Sequence, residues 1–153
     1  MAKQPDCSYV PVNLTVPPAL GNPITITPQN PLGDPFPTMV FECAYTNEDW
    51  ARLMNDARTK TFAATTSIQL WIGCKIYKSD RSFRCVWGKR RVQGHNMRIM
   101  RTSPRISMDA PTARVFRIPS SLIYWGCAVP PHVPVDWPLP LNVIRKAVLP
   151  RFH

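Results

Sequence analysis

Apolar and polar residues alternate from Ile68 to Tyr77, with Ile68, Leu70, Ile72, Cys74 and Ile76 on one side and Gln69, Trp71, Gly73, Lys75 and Tyr77 on the other. A period of two is that of a β-strand, here with one wholly apolar face. Lys78, Ser79, Asp80 and Arg81 then make a short turn, and residues 82–87 set Phe83, Cys85 and Trp87 on one side, which predicts a hairpin. Upstream the period changes. Trp50, Leu53, Met54 and Ala57 fall at i, i+3, i+4 and i+7, the stripe of an amphipathic helix over 47–62. Thr46 is its expected N-cap, with Glu48 and Asp49 in the first turn, where the helix dipole favours carboxylates. Glu48/Arg52 and Asp56/Lys60 are i,i+4 pairs expected on the solvent side or its edge. Before the helix, Thr38, Met39, Val40 and Phe41 run into Glu42, Cys43 and Ala44, nearly continuous in apolar residues, as a strand covered on both faces would be. Weaker signals predict an extended run at 8–10 and strands near 97–101 and 113–118. A closing helix is expected over 141–149, with Val143, Ile144, Ala147 and Val148 inward. The pattern predicts an α/β fold: a mixed β-sheet flanked by helices, with additional antiparallel strands and a C-terminal helix.

Composition sharpens the boundaries. The 153 residues suit one domain with a single core. Of the 18 prolines, nine lie at or before Pro37 and nine at or after Pro104. Proline interrupts regular structure, so the α/β core is expected within 38–118, between a proline-rich segment 1–37 and a proline-rich tail and closing helix 119–153. The tract 129–140 can adopt polyproline II and dock on an aromatic groove, or form a stiff loop packed on the surface. The five cysteines show no C-x-x-C spacing and no paired histidines, which points to buried reduced thiols rather than zinc. There is no apolar run near 18 residues and no signal-peptide pattern at Met1, so no membrane partner and an intracellular location, cytoplasmic or nuclear, are expected.

Charge singles out a partner. The formal excess of +10 sits entirely within 75–117, which holds twelve basic residues against Asp80 and Asp109. Such a block attracts a polyanion through counterion release and steering. Lys75, Lys78, Arg81, Arg84, Lys89, Arg90, Arg91, Arg98 and Arg101 are therefore the candidate nucleic-acid-binding residues. Trp71, Trp87, Trp125 and Trp137 could stack bases, although tryptophans usually fill cores. Glycine-rich phosphate loops, a nucleophile elbow and an H-E-x-x-H zinc motif are all missing.

Two carboxylates stand out. Asp6 follows Pro5 at the head of an extended run, and Glu42 lies inside an apolar strand, where it needs a charged or metal partner. Carboxylates on neighbouring strands can hold Mg²⁺, which takes a few oxygen ligands plus water and phosphate. Pro5-Asp6-x-Ser8-Tyr9, then PTMVFECAYT, then a helix containing Asn55, Asp56 and Ala57, then the strand IQLWIGCKI, resembles the PD-(D/E)XK superfamily. The nearest likeness is to restriction-endonuclease-like domains of uncharacterised fungal proteins, and it runs from Pro5 to about Trp87. The resemblance implies a restriction-endonuclease-like fold and Asp6 and Glu42 as the Mg²⁺-binding carboxylates of a nuclease acting on phosphodiesters.

The chain departs from that pattern twice. The motif's lysine, two residues after the glutamate, is here Ala44. Related families move the lysine to the following helix, where Lys60 stands, so Asp6, Glu42 and Lys60 are the implied catalytic set; Lys75 on the next strand is a second candidate for the lysine. The superfamily also has a helix and a strand before its P-D strand, whereas four residues precede Pro5 here, so a fragment or a pared-down descendant is expected. Two other readings stay open: an inactive nucleic-acid-binding module of the same fold, and a protein-interaction module using the proline-rich tail.

Overall fold

The computed structural model describes residues 38–45, 47–63, 66, 68–91, 97–125 and 128–152, together with the backbone alone of 7–9 and, within the last of these ranges, of Arg151. The alternation downstream of Ile68 forms β3 (Leu70–Tyr77), which turns at Lys78, Ser79, Asp80 and Arg81 into β4 (Ser82–Arg90). The hairpin register runs from Tyr77 opposite Ser82 to Leu70 opposite Lys89. Arg81 closes the turn at φ 48°, a left-handed conformation uncommon for a residue with a Cβ.

The apolar run around Phe41 forms β2 (Met39–Ala44), parallel to β3, with Glu42 opposite Gly73 and Ala44 opposite Lys75. Parallel neighbours need a crossover, and α1 (Trp50–Asp56), prolonged by a π-helical stretch over Ala57–Thr61, supplies it. The helix thus starts later than the expected 47–62. Its N-cap is Asp49, whose Oδ1 accepts from the Arg52 N–H at 2.7 Å. Aspartate caps at least as well as threonine, so the start moves to the carboxylate nearest the apolar stripe. Thr46 lies outside the described residues.

On the other side of β2 runs β1 (Cys7–Tyr9), antiparallel, with Cys7 opposite Phe41. Beyond β4 come β5 (Met97–Thr102) and, at the start of β4, β6 (Ile106–Ser107). The six-stranded sheet has the order β1-β2-β3-β4-β5, with β6 on β4. The fold is α/β, with a mixed sheet, extra antiparallel strands and flanking helices as expected.

Each face of this sheet buries its own cluster. Val40, Ala44, Trp71, Val86 and Met97 pack on one face with Leu53, Met54, Ala57 and Phe62 of the helical segment. The opposite face, with Leu70, Ile72, Cys74, Phe83 and Trp87, packs on Phe116, Ile118, Ile123, Leu141, Ile144 and Val148. That second layer is built by β7 (Val115–Pro119), α2 (Ser120–Ile123), β8 (Asp136–Pro140) and α3 (Leu141–Val148). Thr38 ties the two layers, its Oγ1 donating to the Ile123 carbonyl at 2.8 Å.

β7 and β8 form a separate antiparallel pair, so the end of the proline-rich tract is a strand rather than a loop. Pro138 and Pro140 stand opposite Arg117 and Val115. They alternate with the positions that bond across the pair, which Ser120 N–H to Val135 O and Leu141 N–H to Arg114 O mark at its two ends. An antiparallel ladder needs no N–H at the alternate positions, so the prolines are accommodated there. In α3 the inward stripe is Leu141, Ile144 and Val148. Val143 (56% exposed) and Ala147, expected inward, instead flank that stripe and border a cleft of about 680 Å³ shared with Phe41, Cys43 and Ile72. Among the described residues, no helix is long and apolar enough to cross a membrane.

Candidate functional site

Glu42 sits on the α1 face of β2 and is 4% exposed. Its Oε2 accepts a hydrogen bond from the Trp71 indole Nε1 at 2.8 Å. The reason lies one position further along the face of β3. A Cβ on Gly73 would stand 2.3 Å from Cη2 and 2.4 Å from Cζ2 of Trp71, so the indole lies over the glycine and reaches across to β2. Burying a carboxylate is costly unless it is hydrogen-bonded, and the indole meets part of that need while fixing the carboxylate's direction.

Of the other implied catalytic residues, Asp6 lies outside the described residues; its chain neighbour Cys7 pairs with Phe41, the neighbour of Glu42. Lys60 places its Nζ 2.8 Å from Asp56 Oδ1, with a side chain 49% exposed. Asp56 was expected on the solvent side or its edge, yet it is buried, and its Oδ2 makes no hydrogen bond. It lies three residues after Leu53 and so shares the flank of the inward stripe. Lys75 stands directly across from Ala44, on the Glu42 face, two residues past Gly73. It is buried, and its Nζ donates to the Tyr45 carbonyl at 2.7 Å. The position left without a lysine on β2 thus has one beside it on β3.

The basic block divides between places. Lys75, Lys78, Arg81 and Arg84 gather at the carboxyl ends of β2 and β3 and around the hairpin turn. Lys78 lies over the Tyr45 ring at 4.8 Å and Arg84 over Trp50 at 4.4 Å, while Arg81 pairs with Asp109 at 3.0 Å. Lys89 and Arg101 share the opposite face of the sheet with Trp87, Arg98 pairs with Lys89, and Arg91 is exposed just past β4. Arg90 belongs to neither group. Its guanidinium donates to the carbonyls of Ile68 (2.9 Å), Thr66 (3.0 Å), Phe62 (3.3 Å) and Ala63 (3.4 Å), and to Thr66 Oγ1 (2.7 Å). Burial pushes the Arg90 pKa below its ordinary value. This side chain, expected to meet nucleic acid, closes the link from the helix to β3 by satisfying carbonyls that the helix end leaves over.

Sequence reasoning missed Trp71 and Gly73 as partners of Glu42. The signal was a Trp-x-Gly on one strand face, but only the β2–β3 register brings Glu42 opposite that glycine. Cys74 and Cys85 are buried and free and Cys43 half-buried, in line with the reduced thiols expected. Among the described residues, no three His, Cys, Asp or Glu side chains converge as a metal site. Set against protein-family models, curated proteins and solved structures, the chain matches none.

Proposed function

We propose that the chain is a restriction-endonuclease-like domain that engages nucleic acid at the carboxyl ends of β2 and β3, with Mg²⁺-dependent phosphodiester hydrolysis as its chemistry. The observation that carries the proposal is the pairing of Ala44 with Lys75, which puts a carboxylate and a lysine on one face of adjacent parallel strands. Ligands of open α/β sheets favour that end of the strands. The donor chemistry fits the ion: Mg²⁺ takes one or two carboxylates and keeps several waters, and Glu42 would supply one carboxylate and Asp6 the other. When bound, the metal would polarise the phosphodiester and lower the pKa of a bound water. Trp71 would hold Glu42 in orientation, as second-layer partners of metal ligands do. Lys75 would leave the Tyr45 carbonyl to offset the charge developing on phosphate. Lys78 and Arg84 would hold the flanking backbone.

The test is cleavage of end-labelled DNA and RNA with Mg²⁺ or Mn²⁺. Glu42→Ala should abolish it with the far-UV spectrum intact, Lys75→Ala should slow it by about a hundredfold, and Lys60→Ala should leave it near wild type. A Lys60→Ala loss with Lys75→Ala active would refute the assignment. The burial of Glu42 favours one second reading, an inactive module of the same fold. It would bind nucleic acid with steep salt dependence, indifferent to divalent ions and to Glu42→Ala.

A further inference from the structure

Beside Lys75 on the same strand face, Tyr77 carries a cation close over its ring. The Arg105 guanidinium carbon is 3.7 Å from the ring centroid, a stacking distance. In its plane, Nη1 donates to Asp80 Oδ2 at 2.6 Å, and the other oxygen of Asp80 accepts from Ser82 Oγ at 2.6 Å. The guanidinium is therefore held by a ring and by a carboxylate. The Arg105 side chain is nevertheless 53% exposed, so a guanidinium held by a ring and a carboxylate is still open to a ligand from solvent.

We infer that this platform receives an unpaired base, so that the domain's nucleic-acid partner is single-stranded or locally opened rather than a continuous duplex. The inference rests on the nucleic-acid reading above and names its substrate class. A base inside a duplex is covered on both faces by its neighbours and offers only its edges, whereas a splayed base can stack on a guanidinium plane. A lone surface ion pair needs no aromatic backing. Here the aromatic–cation arrangement recurs around the same end of the sheet, in Arg84 over Trp50 and Lys78 over Tyr45. Positive charge set among aromatic rings is how single strands are bound without sequence preference. Tyr77 lies two residues beyond Lys75, about 7 Å along β3, so a phosphate near Lys75 and a base on Arg105 belong to neighbouring parts of one strand.

The experiment compares a labelled single-stranded oligonucleotide with its duplex by fluorescence anisotropy, using the whole chain in EDTA at fixed moderate salt. The single strand should bind at least about tenfold tighter, that is by about 1.4 kcal/mol. Arg105→Lys keeps the charge and loses the plane; it should weaken single-strand binding about tenfold while duplex binding changes less than about twofold. Tyr77→Leu, which removes the backing ring, should act in the same direction. A duplex bound as tightly as the single strand, or Arg105→Lys binding like wild type, would overturn the inference and leave the nucleic-acid reading standing. Failure to bind either form would remove both.

Discussion

Gly73→Ala is the substitution on which the account of Glu42 turns. In a strand, replacing glycine by alanine ordinarily stabilises by about 0.5–1 kcal/mol, because the unfolded chain loses freedom. Here the new methyl would stand 2.3 Å and 2.4 Å from two indole carbons of Trp71, a ring that is wholly buried. The ring cannot slide outward, so the sheet and the helix above it must part; overpacking of this kind costs about 1–3 kcal/mol. Moving the indole also takes its N–H away from Glu42, at about 1.5–3 kcal/mol for a hydrogen bond to a charged group. After the entropy gain is subtracted, a net loss of about 2–5 kcal/mol is expected, a large part of the roughly 5–15 kcal/mol that holds a domain together. Urea unfolding followed by far-UV circular dichroism measures it. Gly88→Ala is the milder comparison: its Cβ would meet Cγ and Sδ of Met97 at 2.9 Å and the Arg98 carbonyl oxygen at 3.1 Å, so a loss of about 1–2 kcal/mol, smaller than at Gly73, is expected. In a Trp71→Phe background, where the clashing ring is smaller, the Gly73→Ala penalty should fall below about 1 kcal/mol. A neutral or stabilising Gly73→Ala in the wild-type background would refute the idea that the glycine exists for the indole.

Arg90→Ala should destabilise by about 2–4 kcal/mol in the same urea assay, since charged hydrogen bonds to four carbonyls disappear together. It should leave nucleic-acid binding intact in refolded material. Ser103→Ala removes a hydroxyl that accepts from the Cys85 N–H at 2.9 Å and donates to the Pro104 carbonyl at 2.8 Å; about 1–3 kcal/mol should be lost, and Ser103→Thr should recover part of it. Asp80 provides a pH test. The Ser82 hydroxyl holds its carboxyl below the ordinary 3.8, slight burial opposes this, and Arg105 reinforces it. A carboxyl depressed in the folded state contributes stability above its unfolded pKa and loses it as pH falls through the folded one. The difference in urea midpoint between wild type and Asp80→Asn should therefore be present at neutral pH and shrink as acid protonates the folded carboxyl, below the ordinary carboxylate range. A gap that persists in acid would show that the effect is not electrostatic.

The elements that sequence reasoning recovered are those with a strong period. The 3.6-residue stripe of Leu53, Met54 and Ala57 and the two-residue alternation from Leu70 to Ile76 both report burial on one side, and both became elements in the expected places. The start of α1 was less legible because Asp49 and Thr46 are both good caps, and local chemistry does not rank them. Which residues meet across strands was not legible at all. That Ala44 faces Lys75, and Glu42 faces Gly73, follows from a parallel register set by the length of the crossover. The structural role of Arg90 was hidden for the same reason: inside a run of cations, nothing local marks the side chain that ends on Thr66 and Ile68. Position along a helix did carry information for Lys60, whose partner Asp56 is the i,i+4 pair the sequence implied.

The prolines of β8 have an effect reaching beyond their own pair. The residues bonded to β7 are the odd-numbered ones, from Val135 to Leu141, so Pro138 and Pro140 turn their nitrogens outward. At those two places the margin of β8 that no described strand pairs offers carbonyl oxygens with no N–H beside them. An incoming strand, from another copy or from a peptide, would find acceptors but lack the donors that a full ladder requires. The margin is thereby blunted by the chemistry of its own backbone. Replacing both prolines with valine would restore the missing donors and turn a blunt end into an adhesive one.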